Sequence, residues 1–209
     1  MRMIRQKYGH QVRLNPIKDY ETYRQIQQEG NERKLQLVYA RQADLTHLAH
    51  YAQSRIQVHS VLCHGTRNGA EQKWFKEALD GDQVRVLGTE ISTTAHQFAD
   101  TIQWDFHDIK PEWVGAWDII YTNAWDHAFD PTRAFKNWLD CLSAQGMLFL
   151  EHSKNHEPAV VNDLDPFGAT LNGLIKFVNS LAPDRYHVKD VIVDLPDASS
   201  RRVVVAGRV

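Results

Sequence analysis

The segment VLCHGTRNGAEQ, residues 61–72, begins as an apolar run, passes through a turn that contains Gly65 and Gly69, and continues as a helix-forming stretch. This order predicts a buried β-strand, a glycine turn and a helix that starts directly after the turn. Backbone N–H groups at such a turn, together with the positive end of the helix dipole, favour a polar ligand such as a nucleotide. Many ordinary strand–helix connections also contain two glycines, so this segment alone does not establish a cofactor site.

The sequence after residue 57 alternates between strand-like and helix-like segments. Because such alternation builds right-handed βαβ units, it predicts a mostly parallel sheet with helices on its faces. The strand-like segments are continuously apolar, which is typical of strands covered on both sides. The predicted strands are residues 58–63, 84–89, 117–122 and 146–152, and the helices between them are residues 69–80, 93–99 and 131–144.

The two ends of the chain differ from this middle region. Residues 17–57 lack strand alternation and predict two or three helices, interrupted near Gly30-Asn31 and near Asp44. After a helix predicted at 168–181, two strands at 186–195 and 201–209 are joined by the short link LPDASS, which permits only an antiparallel hairpin. The sequence therefore predicts an α/β fold: a doubly wound, mostly parallel sheet that ends in an antiparallel C-terminal hairpin. We expect a helical N-terminal cap at 1–57 and the main domain at 58–209.

The composition is that of an ordinary globular protein. The chain has 209 residues, of which 43% are hydrophobic and 24% charged, and a net charge of −2. This charge balance disfavours a large nucleic-acid surface, and the basic group Arg2, Arg5, Lys7 and Arg13 is interpreted as a solvated terminus. No apolar run is long enough for a membrane helix or a secretory signal. Cys63 and Cys141 have no paired spacing, which favours a reducing, cytoplasmic location. The oligomeric state is not indicated.

Two later segments strengthen the prediction that the glycine turn binds a nucleotide-like ligand. Glu90 ends the second predicted strand about 20 residues after Gly69, which is the position of an acid that accepts both hydroxyls of a ribose. Asp105 stands at the end of the next short strand and is suited to an adenine amino group, while the Phe106 backbone N–H is suited to a ring nitrogen. Asp105 is equally well interpreted as a turn residue that caps its own backbone.

With these residues in order, the chain resembles the class I S-adenosylmethionine-dependent methyltransferases, which have a Rossmann-like fold. The resemblance runs from about Val58 to the C-terminus, through VLCHGTRNG, GTEIS, WDFHD and the block WDIIYTNAWDHAFDPTRAFKNWLDCLSAQGMLFLEHS. It implies S-adenosylmethionine as the cofactor. The residues that it implies for cofactor binding are His64, Gly65, Thr66, Arg67, Gly69, Glu90, Ile91, Asp105, Phe106 and Asn123.

The chain departs from the family at the first motif. Cys63 and His64 stand where the family usually has an acid, and Arg67 replaces the middle glycine, which limits how closely the backbone approaches a ligand. An arginine fork suits the methionyl carboxylate, but Arg67 could equally point to solvent.

The resemblance also implies methyl transfer at NAWDHAFDP, residues 123–131. His127 is the first candidate for the base, Asp126 and Asn123 could orient it or the substrate, and His107 and His152 are weaker candidates. The turn has no Pro-Pro-aromatic signature of nucleobase amine methylation, so we expect O-methylation of a small-molecule or saccharide hydroxyl. Trp125, Phe129 and the loop 156–170 are expected to line the acceptor pocket, and no metal ion is expected.

Two other functions remain open at this stage. The altered first motif is compatible with a methyltransferase-like fold that has lost catalysis and acts as a binding module. The glycine turn and Glu90 are also compatible with a nicotinamide-dependent oxidoreductase, although the broken glycine spacing and the C-terminal hairpin disfavour it.

Overall fold

The computed structural model describes residues 7–80, 83–196 and 200–209, so Arg2, Arg5 and the middle of the LPDASS link lie outside the described part. The α-helices are α1 (Tyr20–Arg33), α2 (Gln42–Gln53), α3 (Ala70–Ala78), α4 (Pro131–Cys141) and α5 (Leu171–Asn179). The strands are β1 (Val12–Leu14), β2 (Ser60–His64), β3 (Arg85–Glu90), β4 (Thr101–Gln103), β5 (Trp117–Thr122), β6 (Leu142–His152), β7 (Phe167–Ala169), β8 (Tyr186–Ile192) and β9 (Arg202–Arg208). None of the described helices is both long and apolar enough to span a membrane.

The main sheet has the order β4-β3-β2-β5-β6-β9-β8. Its first five strands are parallel, and β9 runs antiparallel to both β6 and β8. Leu62 in the central strand β2 pairs with Leu87 on one side and with Ile120 on the other. The prediction of a doubly wound, mostly parallel sheet that ends in an antiparallel hairpin is confirmed.

The sheet is covered on both faces, as its continuously apolar strands predict. Leu62 and Ile120 point into a core formed with α4 and α5, which also contains four buried tryptophans. Their neighbours Val61, Cys63 and Ile119 point into a second core, formed with α2 and α3. Because side chains alternate along a strand, each apolar run supplies both cores at once.

Three predicted boundaries are corrected by the structure. The helix predicted at 131–144 ends at Cys141, because the buried Leu142 already pairs with Trp117 and starts β6. The helix predicted at 93–99 is a short 3₁₀ turn, Thr93–Gln97. The segment predicted as helix from residue 168 first forms β7, which pairs antiparallel with β1, and α5 then begins after its N-cap Thr170. A three-residue strand carries too little periodicity to be recognised from sequence.

The helical N-terminus is confirmed, but its interruptions are not where they were predicted. Helix α1 continues through Gly30 and Asn31, and Asp44 lies in the first turn of α2, where Arg41 pairs with it. Gly30 serves packing here, since a Cβ would lie 2.4 Å from Leu164 Cδ1. Helix α2 packs into the second core together with the sheet. The predicted domain boundary at residue 57 stays a prediction.

Close contact between α3 and the sheet positions the glycine turn. Gln72 of α3 lies across Gly88 of β3 and donates to the hydroxyls of Thr66 (3.0 Å) and Thr101 (2.9 Å). A Cβ at Gly88 would lie 1.7 Å from Gln72 Nε2 and 2.8 Å from Thr66 Oγ1. The missing side chain at residue 88 therefore allows Gln72 to connect the turn to the edge of the sheet.

We expect Gly88→Ala to lower the free energy of unfolding by about 1–3 kcal/mol, because the added methyl group overpacks a buried contact. Urea denaturation checks this value. Adding Gln72→Ala should recover part of the loss, since it removes the amide that the methyl group meets. Strictly additive effects of the two substitutions would contradict the proposed contact.

Candidate functional site

The turn between β2 and α3 has the backbone shape that its glycines predict. Gly65 and Gly69 have φ values of +70° and +77°, and Arg67 between them has φ +44°, in the left-handed region. The N–H groups of Gly65 and Thr66 both donate to the Thr89 carbonyl of the neighbouring strand. A Cβ at Gly65 would lie 2.7 Å from Ala124 Cβ, so glycine is required for this close approach.

A cavity of about 340 Å³ opens beside this turn, at the carboxyl ends of β2, β3, β5 and β6. Helix α1 and the segment that follows it cover the cavity from one side, and the loop after β6 contributes another wall. The predicted site residues that line it are Gly65, Thr66, Arg67, Glu90, Ile91, Asp105, Phe106, Asn123, Asp126 and His127. Ten residues from four separate stretches of sequence therefore share one cavity.

His64 and Gly69 are not among the lining residues. The His64 ring is buried, stacks on Trp138 with centroids 5.4 Å apart, and contacts Thr89 Oγ1 through Nδ1 at 2.9 Å. Burial lowers the pKa of His64 to about 3, so the ring is neutral. Gly69 instead provides the left-handed N-cap of α3. Both residues shape the turn from outside the cavity.

Glu90 points into the cavity from the end of β3. Its carboxylate accepts from the backbone N–H groups of Arg67 (3.1 Å) and Ser92 (2.9 Å). Burial raises the pKa of Glu90, and these two N–H groups oppose that shift. Each carboxylate oxygen can accept a second hydrogen bond, so both keep capacity for a ligand hydroxyl.

Asp105 lines the cavity and also caps its own turn. It accepts from the backbone N–H of His107 (2.9 Å), from His107 Nδ1 (2.6 Å) and from the Tyr20 hydroxyl (2.5 Å). Burial opposes ionisation, but the hydrogen bonds from His107 and Tyr20 outweigh it and lower the pKa of Asp105. The interpretation of Asp105 as a residue that caps its own turn matches these contacts, and its role toward an adenine amino group stays a prediction. Phe106 beside it forms the apolar floor, edge-on to Trp138.

Arg67 does not point freely into solvent. Its Nη1 donates to the Leu37 carbonyl at 3.1 Å, and its guanidinium lies 5.2 Å from the centre of the Tyr39 ring. Asn68 makes a parallel contact, from Nδ2 to the Leu35 carbonyl at 3.0 Å. The segment between α1 and α2 is thus attached to the glycine turn.

His127 lies at another part of the cavity, held by helix α1. Gln27 donates through Nε2 to the Leu164 carbonyl at 2.7 Å, so its Oε1 faces His127 Nδ1 at 2.8 Å. Nδ1 must therefore donate, which leaves Nε2 directed at Asp165 Oδ1, 3.4 Å away. Asp126 Oδ1 lies 4.0 Å from the same nitrogen.

The donor atoms of Asp126, His127 and Asp165 all lie within 4.8 Å of one another, which is close enough to share a proton or a cation. Asp126 is 6% exposed and its Oδ1 has no hydrogen-bond partner within the described part of the chain. Burial raises the pKa of Asp126 to about 7. The expectation that no metal is bound stays a prediction.

The two aromatic residues predicted for the acceptor pocket and the two weaker histidine candidates for the base do not line the cavity. Trp125, predicted to line the acceptor pocket, is fully buried, donates to the Glu151 carbonyl and stacks on His156. Phe129 packs on Tyr23, beneath α1 and away from the cavity lining. His107 is bound to Asp105, and His152 Nε2 contacts the Ala169 carbonyl.

Sequence reasoning missed several charged residues of the cavity, among them Glu71, Glu151 and Arg201. Arg201 pairs with Glu151 at 2.5 Å, and Tyr121 donates to the other carboxylate oxygen at 2.7 Å. Glu71 lies in the first turn of α3, where an acid is usually explained by the helix dipole. Burial raises the pKa of Glu71 to about 8.

No protein-family model matches the sequence, and no curated protein matches it. Solved structures match its fold. A 1,6-didemethyltoxoflavin-N1-methyltransferase from Burkholderia thailandensis, crystallised with 1,6-didemethyltoxoflavin and S-adenosylhomocysteine, superimposes with a TM-score of 0.65 at 13% identity, covering 92% of this chain and 91% of its own. The chain has the class I S-adenosylmethionine-dependent methyltransferase fold.

Two further structures support this assignment. The plantazolicin methyltransferase in complex with S-adenosylhomocysteine has a TM-score of 0.62 at 13% identity, covering 90% of each chain. A TehB-like SAM-dependent methyltransferase from Corynebacterium glutamicum has a TM-score of 0.58 at 13% identity, covering 87% of this chain and 96% of its own. The likeness in fold thus extends over most of the sequence.

We expect Asp126→Asn to flatten the pH dependence of stability. The pKa of about 7 in the folded state exceeds that of the unfolded chain, so the folded state holds an extra proton between about pH 4 and 7. The free energy of unfolding of the wild type therefore falls as pH rises through this range. Relative to wild type, the variant should gain about 2–4 kcal/mol between pH 4.5 and 8.

Urea denaturation at several pH values measures this difference. Asp184→Asn, at an exposed position, is the matched control and should follow the wild type. If the curves of Asp126→Asn and wild type run parallel, the carboxyl group is not protonated by burial.

Proposed function

We propose that this chain is a methyltransferase that uses S-adenosylmethionine and methylates a hydroxyl group of a small molecule or saccharide. The observation that carries the proposal is the buried Glu90 carboxylate, which faces the cavity beside the Gly65 turn at the carboxyl end of the central parallel strands. This is where open α/β sheets bind nucleotide-like ligands. The likeness to solved methyltransferases supports the same fold, and the activity is inferred from the residues of the cavity.

The lining residues fit the cofactor in chemical type. Glu90 would accept from the ribose hydroxyls, and Ile91 offers an apolar contact next to it. Asp105 and the Phe106 backbone would receive the adenine ring. Among the described residues, none accepts a hydrogen bond from the Phe106 N–H. Gly65, Thr66 and Asn123 would contact the rest of the cofactor, and Arg67 would donate to the methionyl carboxylate.

S-adenosylmethionine, when bound, supplies an electrophilic methyl group, whose transfer to an acceptor oxygen leaves S-adenosylhomocysteine. The chain has to align the acceptor with that group, exclude water and remove the hydroxyl proton. His127 Nε2 is suited to take this proton, because Gln27 holds the ring with its other nitrogen as a donor. Asp165 and Asp126 would stabilise the imidazolium that results. Helix α1 excludes water by covering this part of the cavity.

The acceptor class is inferred from the lining of this part of the cavity. Its walls are polar and mixed: Asn162, Asp165, Asn155 and Ser153 come from the loop after β6, with Val160 and Leu164 between them. Such a lining suits a hydroxyl-bearing small molecule or saccharide. The net charge of −2 disfavours a large nucleic-acid surface. We infer a reducing, cytoplasmic compartment from Cys63 and Cys141, which are both buried and unpaired.

We expect Glu90→Gln to weaken binding of S-adenosylhomocysteine by about 10–100-fold, because a charge-assisted pair of hydrogen bonds to the ribose is lost. Isothermal titration calorimetry measures the affinity, and thermal melting confirms that the variant is folded. The variant should lose a similar factor for 5′-methylthioadenosine, which keeps the ribose. Unchanged affinities would remove the ribose role from Glu90.

The same titration separates the two alternative functions. A wild-type protein that binds NADH and not S-adenosylhomocysteine would be a nicotinamide-dependent enzyme. A folded protein that binds neither would be a methyltransferase-like module without this cofactor.

A further inference from the structure

The cavity contains a buried carboxylate to which no role has been assigned. Glu71 is 6% exposed and lines the cavity from the first turn of α3. Within the described part of the chain, its Oε2 has no hydrogen-bond partner. An unpaired buried acceptor of this kind is costly unless a ligand supplies the donor.

Arg67 lines the same cavity and has an unpartnered hydrogen-bond donor, where Glu71 has an unpartnered acceptor. Its Nη1 is held by the Leu37 carbonyl, but its Nε is buried and without a partner among the described residues. Arg67 and Glu71 influence each other electrostatically, yet in the described structure they form no ion pair within 4.0 Å. A donor and an acceptor that belong to the same turn and helix start are therefore both left without a partner, and both residues line one cavity.

Most of the other acids of the cavity already have hydrogen-bond or ion-pair partners. Glu90 receives two backbone N–H groups, Glu151 is paired with Arg201, and Asp105 receives His107 and Tyr20. The unpartnered oxygen of Asp126 faces His127 and Asp165, whereas Glu71 interacts electrostatically with Arg67, Glu90 and Glu151. Glu71 is thus the acid that is both unpaired and grouped with the glycine turn.

An open carboxyl group, which a neighbouring ammonium would hold in its ionised form, and an open guanidinium N–H together match a zwitterion. We propose that Glu71 is a cofactor-binding residue that accepts a hydrogen bond from the α-ammonium group of the methionyl moiety, while Arg67 Nε donates to the α-carboxylate. This inference rests on the proposed use of S-adenosylmethionine. It assigns to α3 the acid that the end of β2 lacks, since Cys63 and His64 both point into the packed interior.

Three adenosine ligands separate this role from a general electrostatic effect. S-adenosylhomocysteine carries both the ammonium and the carboxylate, its decarboxylated analogue carries the ammonium alone, and 5′-methylthioadenosine carries neither. The wild type should bind the decarboxylated analogue at least about tenfold more tightly than 5′-methylthioadenosine. This comparison needs no variant, so it holds even if a substitution disturbs folding.

Glu71→Gln keeps the shape of the side chain and removes its charge. We expect it to weaken binding of S-adenosylhomocysteine and of the decarboxylated analogue by about 10–100-fold, and to leave 5′-methylthioadenosine unchanged. Glu77→Gln makes the same change at an exposed position of the same helix and is the matched control, expected to change none of the three affinities.

The outcomes are distinguishable. An equal loss for all three ligands, no loss for any, or no wild-type preference for the ammonium-bearing analogue over 5′-methylthioadenosine overturns the role of Glu71 while leaving the cofactor in place. If the folded wild type binds none of the three ligands, the proposed function itself is overturned.

Discussion

The site depends on the position of β2 in the sheet. This strand is hydrogen-bonded on both sides by parallel neighbours, with β3 continuing in one direction and β5 in the other. Because the chain leaves β2 towards one neighbour and returns later to the opposite side, the connections on the two sides separate above its carboxyl end. The cavity opens at this point, and the carboxyl end of each adjacent strand delivers a residue to it: Gly65 after β2, Glu90 at the end of β3 and Asn123 after β5.

The sequence predicted the parts of this arrangement that have local causes. Continuous apolar runs indicate strands covered on both faces, and a glycine turn followed by an acid about 20 residues later indicates a nucleotide-like ligand. The hairpin of β8 and β9 was also predicted from a local cause, the short link between two apolar strands. The predictions that were wrong concern elements that form only because of pairing partners far away in sequence. Leu142 is a strand residue because Trp117 lies beside it, and β7 is a strand only because β1 pairs with it.

The candidate site likewise combines residues that local sequence signals identify with contacts that depend on residues distant in sequence. Glu90, Asp105 and His127 were predicted because they stand at or just after strand ends, where ligands bind in α/β proteins, and all three line the cavity. Their hydrogen-bond partners were hidden, since Tyr20 and Gln27 reach Asp105 and His127 from a helix about a hundred residues earlier. His64 was predicted together with its sequence neighbours, which line the cavity, whereas its own ring turns inward to Trp138. Glu71 escaped notice because an acid in the first turn of a helix has an ordinary explanation.

The covering helix α1 is fastened at both of its ends. Before it, β1 pairs with β7, and near its end Asn31 Oδ1 accepts from the Thr94 hydroxyl at 2.7 Å. A helix held in this way cannot swing open about a single hinge without breaking a strand pair or a buried hydrogen bond. The segment after it, with Leu37, Val38 and Tyr39 about half exposed at the rim, is attached to the glycine turn by the two contacts from Arg67 and Asn68. Because Arg67 and Asn68 belong to the glycine turn itself, any displacement of this rim segment has to break hydrogen bonds that the turn makes.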